Sequence, residues 1–130
     1  MKNKKIILLF SHKLTNEQMQ DAKNSFGIDE FIYLSDDLQK IWSNISPDLQ
    51  TIQDILEPIK EFIKSNSNQN DVVLIQGDFG ACFIMVNFCK SLGLKTIYAT
   101  TKRISKEYIE DGKMIKKSIF EHRGFREYGI

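Results

Sequence analysis

The sequence contains little that would cross-link the chain, stiffen it or carry it across a membrane. It has two cysteines and two prolines in 130 residues. Its N-terminal apolar run, residues 6–10, has the length of a β-strand, and no apolar run in the chain approaches the roughly 20 residues that span a bilayer. The N-terminus is basic, but this run is too short for a signal peptide and is followed by polar Ser11 and His12. We therefore expect a cytoplasmic protein.

The two cysteines, Cys82 and Cys89, lie seven positions apart in a segment that we predict to be helical. That spacing places both on one apolar face, about 10 Å apart along the helix axis, which is too far for a disulfide. We interpret them as small buried hydrophobic residues. No further cysteine or histidine stands close by, and no paired carboxylates have the spacing of a metal site. We therefore expect neither a metal nor a cofactor.

The charge is nearly balanced overall but unevenly distributed. Apolar residues make up 42% of the chain and charged residues 27%, as in ordinary globular proteins, and the formal net charge is +1. Residues 95–130 carry nine Lys and Arg against five Asp and Glu, whereas residues 1–94 carry nine against twelve. This surplus is too small for wrapping a long duplex, but it suits a compact polyanion.

Apolar runs alternate with amphipathic segments along the chain, which is typical of an α/β protein. Strands are predicted at residues 4–10, 31–34, 72–75 and 96–99, and two further β-rich pieces, residues 104–109 and 114–120, flank Asp111-Gly112. Helices are predicted at residues 15–25, 36–42, 49–63 and 81–92. Asp111-Gly112 predicts a hairpin turn, and Pro58 should kink or split the third helix. The predicted fold is a single Rossmann-like α/β domain over residues 1–130, with a mostly parallel sheet flanked by helices and a C-terminal β-hairpin.

The first helix has clear signals at both ends. Thr15 followed three positions later by Gln18 forms the pattern of a capping box. Gly27 is the residue type expected just beyond the last turn.

Three polar loops follow predicted buried strands, at the sheet edge where parallel sheets bind ligands. They are Ser11-His12, Gln76-Gly77-Asp78-Phe79-Gly80-Ala81 and Thr100-Thr101-Lys102-Arg103. Gly77 and Gly80 would let the backbone approach a ligand and direct N–H groups at an anion, although a tight turn would also explain them. The third glycine of a dinucleotide fingerprint and the Gly-Lys-Ser/Thr of a Walker A loop are missing, which disfavours a nicotinamide or flavin enzyme.

The side chains of these loops suit a sugar and a phosphate. Asp78 would be costly beside a phosphate, so contact with a ribose hydroxyl is preferable. Thr100, Thr101 and Arg103 offer hydroxyl groups and a guanidinium for phosphate. A capped turn with a solvated arginine is the alternative for this second group.

Two further features carry groups that could take part in chemistry. His12 could serve as a general acid or base or as a phosphate donor. A relay between Ser11 and His12 is disfavoured, because neighbouring residues on an extended chain point to opposite sides. The tail, residues 120–128, mixes aromatic rings with cations, as stacking on bases and pairing with phosphates both require. Docking of this tail on the core explains its composition equally well.

Five short motifs, in this order along the chain, resemble one family. They are Ser11-His12-x-Leu14-Thr15, Leu38-Gln39-x-x-Trp42-Ser43, Gln76-Gly77-Asp78-Phe79-Gly80-Ala81, Tyr98-Ala99-Thr100-Thr101-x-Arg103 and Phe120-x-His122-x-x-Phe125-Arg126-x-Tyr128. Together they resemble the small stand-alone Csx-type proteins of type III CRISPR systems, which are related to the CRISPR-associated Rossmann fold (CARF) family. The motifs span nearly the whole chain, and five in register are more specific than any one alone.

The resemblance implies a homodimer that binds a cyclic oligoadenylate, above all the tetramer, across its two-fold axis. It further implies a ring nuclease, which opens this messenger and switches off the antiviral response. The ribose 2′-OH would then attack the adjacent phosphorus and leave 2′,3′-cyclic phosphate ends without a metal. Our hypothesis assigns ligand binding to Ser11, Gln76, Gly77, Asp78, Phe79, Gly80, Ala81, Thr100 and Thr101, and catalysis to His12, Arg103, His122 and Arg126.

Two other functions remain open from the sequence. A non-catalytic sensor or sponge would bind the same messenger without cutting it. A small α/β protein-interaction module would instead use its aromatic and basic tail to dock on another protein.

Overall fold

The computed structural model describes residues 3–130. Its elements are β1 (Lys5–Leu9), α1 (Asn16–Phe26), β2 (Glu30–Tyr33), α2 (Asp36–Ser43), α3 (Gln53–Asn66), β3 (Val72–Ile75), α4 (Phe79–Ser91), β4 (Lys95–Glu110) and β5 (Lys113–Glu127). They build one five-stranded sheet in the order β2-β1-β3-β4-β5. The first four strands are parallel, and β5 pairs antiparallel with β4. The prediction of an α/β fold with a mostly parallel sheet and a C-terminal hairpin is confirmed at this level.

The apolar strands are covered on both faces of the sheet, as their continuous hydrophobic runs require. On one face Ile6, Leu8 and Leu74 pack with Ala22 of α1. On the other face the helices α2, α3 and α4 cover the strands, and their buried contacts include Trp42, Leu56, Ile59, Ile63 and Met85. No helix within residues 3–130 is both long and apolar enough to cross a membrane.

The caps of α1 form as the sequence predicts. The Thr15 side chain accepts a hydrogen bond from the Gln18 backbone N–H, and the Gln18 side chain accepts one from the Thr15 backbone N–H. Gly27 ends the helix in the left-handed conformation, with φ of 66°. Both ends of this helix are therefore determined by local chemistry.

Pro58 does not split the third helix, contrary to the expectation from sequence. It lies inside α3, which runs as one element of 14 residues and begins at Gln53 rather than near residue 49. Pro58 itself is exposed, so its ring stands on the solvent side. Neighbouring apolar side chains on the buried side, including Ile59 and Ile63, are fully inaccessible. Their burial offsets the one backbone hydrogen bond that proline cannot donate.

The fourth strand is much longer than predicted. We expected it to end at residue 99 and to be separated by a loop over residues 100–103 from a β-rich piece at residues 104–109, but β4 runs without a break to Glu110. This stretch contains β-favouring threonine, isoleucine and tyrosine residues, and no glycine or proline interrupts it, so β5 can pair with it along its whole length. Asp111 and Gly112 close the hairpin with φ values of 51° and 76°, as a type I′ turn requires. We call residues 101–122, which extend beyond the parallel sheet, the arm.

Candidate functional site

The order of the strands brings the predicted loops to one edge of the sheet. β1 and β3 are neighbours in the sheet. The chain continues from β1 to β2 on one side and from β3 to β4 on the other, so a topological switch point lies between the carboxyl ends of β1 and β3. Ser11 follows β1, Gly77 follows β3, and β4 passes the same edge near Thr100. We call this the carboxyl edge. The prediction that three polar segments meet there is consistent with the topology.

Side chains of α2 fill the crevice at the switch point. Gln39 donates through Nε2 to the Phe10 carbonyl at 2.7 Å, and Trp42 donates through Nε1 to the Gln76 carbonyl at 3.0 Å. The Ser43 hydroxyl lies 3.2 Å from that of Ser11. A ligand at this edge must therefore lie outside α2 rather than between the strands. Trp42 is buried in the core, and nothing in the sequence pattern signals its polar contact.

Gln76 and Gly77 are explained by the fold itself. The Gln76 side-chain carbonyl accepts a hydrogen bond from the Ala99 N–H at 2.8 Å, which ties the end of β3 to β4. A Cβ added at Gly77 would lie 3.0 Å from Trp42 Nε1. Glycine is therefore required here for the tryptophan to reach its carbonyl partner, independently of any ligand.

The next residues form the N-terminus of α4. Asp78 is the N-cap, and its carboxylate accepts a hydrogen bond from the Ala81 N–H at 3.0 Å. This cap starts the helix at Phe79, two residues before the predicted start, and it places Asp78 toward the helix rather than toward a sugar. Ala81 is buried. The Phe79 ring is 95% exposed, and the N–H groups of Phe79 and Gly80 precede the first intrahelical donor.

The two threonines differ in their surroundings. Thr100 donates through its hydroxyl to the Gly124 carbonyl at 3.0 Å, whereas Thr101 is exposed. The pairing shifts between them, because Thr100 lies opposite Gly124 and Thr101 opposite His122, which leaves Arg123 as the extra residue of a β-bulge. The bulge marks the point where the hairpin leaves the sheet and becomes the arm.

Both candidate arginines are exposed but lie on different parts of the hairpin. Arg103 is on the arm and donates through Nε and Nη2 to the Ser118 hydroxyl at 3.1 and 2.9 Å. Arg126 lies beside the body of the sheet, opposite Tyr98. By strand register Arg126 is level with the end of β3, at the carboxyl edge, whereas Arg103 lies three residues beyond Thr100 on the arm.

The two histidines are in unlike environments. His12 is exposed in the loop after β1, with its ring against the edge of Phe10 at 5.5 Å. The His122 side chain is 7% exposed, and its Nε2 lies 2.8 Å from the Asp21 carboxylate. Hydrogen bonds from Ser25 and from His122 lower the pKa of Asp21. These contacts favour a role for His122 in holding the base of the arm against α1.

An apolar groove, which the sequence did not indicate, lies between α4 and the body of the hairpin. Its volume is about 690 Å³, and its lining includes Phe79, Phe83, Tyr98, Tyr128 and Lys90. Burial raises the pKa of Tyr128 to about 12, so the phenol is neutral at pH 7, and its hydroxyl donates to the Ile75 carbonyl. The groove is therefore lined by neutral aromatic rings, and Lys90, in the last turn of α4, is the cation at its end.

Comparison with known proteins assigns the chain to a family. The model of the family described as "Uncharacterized protein MJ1673 family" matches residues 4–126. The chain belongs to this family. It is 53% identical over 124 residues to "Uncharacterized protein MJ1673" of Methanocaldococcus jannaschii, an alignment that covers 95% of this chain and 96% of the relative. No solved structure matches the chain.

The range matched by the MJ1673 family includes the carboxyl edge, α4 and the whole arm. The arm is therefore part of the unit that defines the family and not an extension peculiar to this chain.

Proposed function

We propose that the carboxyl edge binds a cyclic oligoadenylate, in the first instance the tetramer, and that the protein opens it as a ring nuclease of type III CRISPR signalling. The proposal rests on the resemblance of the five motifs and on the groups that the fold exposes at this edge. A homodimer fits this ligand, because each subunit of a two-fold pair presents the same surface to half of the ring.

The exposed ring of Phe79 is the observation that carries the proposal. A phenylalanine with 95% exposure gains nothing from the fold, but it offers a face on which an adenine can stack. The N–H groups of Phe79 and Gly80 lie at the N-terminus of α4, where the aligned peptide dipoles favour an anion. The Asp78 carboxylate caps the same end, so a phosphate would have to approach these two groups from the side away from that carboxylate. Stacking surface and phosphate donors thus occur within two residues, as a nucleotide requires.

Other phosphate donors lie along the same edge. Ser11 and Thr101 expose their hydroxyl groups, and Arg103 follows Thr101 by two residues on the arm. Arg103 is held by the neutral Ser118 hydroxyl rather than by a carboxylate, so its charge is not neutralised by that contact. A phosphate could therefore compete for its guanidinium.

The proposed reaction uses a nucleophile that belongs to the substrate. The ribose 2′-oxygen forms a bond to the adjacent phosphorus, the bond from phosphorus to the 5′-oxygen breaks, and a 2′,3′-cyclic phosphate remains. One proton leaves the 2′-OH and one is taken up by the 5′-oxygen. His12, exposed at the edge, is the group suited to this proton transfer, while Arg103 would stabilise the charge that develops on the phosphate.

The test is incubation of the protein with cyclic tri-, tetra- and hexa-adenylate in EDTA, with products separated by liquid chromatography and mass spectrometry. We expect linear products with cyclic phosphate ends, formed from one ring size in preference to the others. Arg103→Ala should weaken both binding and cleavage, by about 10-fold or more for loss of a charged hydrogen bond. Lys106→Ala, which removes an exposed cation three residues further along the arm, is the matched control. Normal turnover by the Arg103 variant would remove that residue from the site.

A sensor or sponge is the second candidate, and the position of His122 favours it. His122 is buried against Asp21, so the structure does not bring the two candidate histidines together at one phosphate. Tight binding of an intact ring in the same experiment would support this function. Absence of binding to all three rings would contradict both candidates and leave a protein-interaction module.

A further inference from the structure

The arm extends far from the body and is covered on neither face. Each of its strands continues for about ten residues beyond the parallel sheet, roughly 34 Å at the rise of an antiparallel strand. Most of its residues are exposed. An isolated two-stranded ribbon is at best marginally stable in water, so an arm of this length is expected to pack against something.

The tip of the arm carries apolar side chains where a free hairpin would carry polar ones. Ile109 and Met114 are cross-strand partners beside the turn, and they are 72% and 66% exposed. Next to them the turn carries Glu110 and Asp111 together with Lys113, the cross-strand partner of Glu110, so residues 110–113 have a net charge of −1. The tip is thus a small apolar pair with a negative end.

The groove beside α4 has the complementary properties. Phe79 and Phe83 form an exposed apolar wall, and Phe83 is 71% exposed. Lys90 supplies a positive charge at one end. The arm of the same chain cannot fill this groove, because it leaves the carboxyl edge in the direction away from the body and contributes no residue to the groove lining.

We propose that the arm tip of one subunit lies in the α4 groove of a second copy of this chain, and that the second copy returns the same contact. Ile109 and Met114 would pack on Phe83 and Val86 of the groove lining, with the acidic turn toward Lys90, so the Phe79 ring at the start of α4 stays open to a base. Each subunit has one arm and one groove, so a single two-fold axis satisfies both contacts. The arms leave from the carboxyl edges, so the exchange would turn these two edges toward each other and enclose the space between them.

This inference rests on the dimer of the proposed function, but its test uses no nucleotide, so either proposal can fail alone. The oligomeric state is measured by sedimentation velocity over a range of protein concentrations. We expect a dimer for the wild type. The tip variant I109S/M114S should raise the dissociation constant on the order of 100-fold, since two apolar side chains are lost from each of two contacts. The control variant K106S/K117S changes a cross-strand pair further from the tip and should remain dimeric.

Mixing two defective variants distinguishes this contact from any other dimer. Phe83→Ser damages the groove but leaves the arm intact, whereas I109S/M114S does the opposite. An equal mixture contains heterodimers with one fully native arm–groove contact, so it should dimerise at lower concentration than either variant alone. A monomeric wild type, a tip variant as dimeric as the wild type, or a mixture no better than its components would each overturn the proposal.

A charge exchange provides a second test that leaves the apolar surfaces untouched. Glu110→Lys and Lys90→Glu should each weaken the dimer, and the chain carrying both should recover. Circular dichroism of all variants checks that they are folded. Failure of the double variant to recover would mean that the turn and Lys90 do not meet.

Discussion

At the scale of the residue, two glycines of the same loop, Gly77 and Gly80, have different neighbours and therefore different tolerance for a side chain. A Cβ at Gly77 would approach Trp42 Nε1 to 3.0 Å, and the indole cannot withdraw without losing its bond to the Gln76 carbonyl. A Cβ at Gly80 would meet Asp78 and Ile52 at 3.5 Å, an ordinary contact. Gly77 is therefore fixed by packing, whereas the fold leaves Gly80 free to vary.

Gly77→Ala should destabilise the protein by about 1–3 kcal/mol, the usual cost of an added methyl group in a packed site. Gly80→Ala is the matched control and should be neutral or stabilising by about 0.5–1 kcal/mol, because alanine is favoured over glycine in a helix. Urea unfolding followed by circular dichroism measures both. Equal stability of the Gly77 variant and the wild type would show that the indole can move aside.

At the scale of the element, the β4–β5 hairpin is anchored on both faces of the sheet. Phe125 packs on the α1 side, where Phe26 lies 6.0 Å away ring to ring, and Tyr128 packs on the opposite side. His122 adds the bond to Asp21 at the base of the arm. Docking on the core, one of the two interpretations open from the sequence, thus explains Phe125 and Tyr128, but it does not explain Phe120, which is 68% exposed.

Asp21→Asn should lower the stability by about 1–2 kcal/mol at neutral pH, the range for a hydrogen bond to a charged group. Ser25 and His122 lower the pKa of the Asp21 carboxyl below its usual 3.8, so its contribution is complete above that value and is lost as the pH falls through the folded-state pKa. The difference from the wild type should therefore shrink in acid. Unfolding free energies at pH 7 and pH 3 measure it.

Glu17→Gln removes an exposed carboxylate from the same helix and serves as the control. No ion pair of Glu17 occurs within the part of the chain that the structure describes. A pH-independent loss of stability in Asp21→Asn would indicate lost packing instead of lost charge.

At the scale of the whole molecule, the body and the arm differ in how they are stabilised. The body buries its apolar strands between helices on both faces. The arm is held to the body by the His122–Asp21 contact at its base. Among the described residues, the rest of the arm relies on its own cross-strand contacts, and the Lys116–Glu107 ion pair among them is too exposed to contribute much. If a second copy covers the arm, part of its stability comes from association.

The unfolding midpoint should then rise with protein concentration, because association stabilises the folded chain by mass action. The tip variant I109S/M114S should unfold at a midpoint that does not depend on concentration. Thermal unfolding at several concentrations measures both. A wild-type midpoint independent of concentration would contradict association through the arm.

The sequence by itself determined the features that depend on neighbouring residues. The capping box at Thr15 and the turn at Asp111-Gly112 formed where their side chains predicted, and the four apolar runs became the parallel strands. It also predicted the loops that follow β1 and β3, whereas the loop predicted at residues 100–103 is part of β4. These features follow from backbone conformational preference and hydrophobic periodicity, which act over a few residues.

Only the tertiary structure decided how those loops are used. The length of β4 depends on its pairing with β5. The uninterrupted course of α3 through Pro58 depends on the apolar surface that this helix buries. The need for glycine at position 77 depends on Trp42, 35 residues earlier in the chain. The apolar groove is lined both by α4, which begins at Phe79, and by Tyr128, which lies nearly 50 residues later in the chain. Such contacts join parts of the chain that carry no local signal for one another, so they become visible only once the chain is folded.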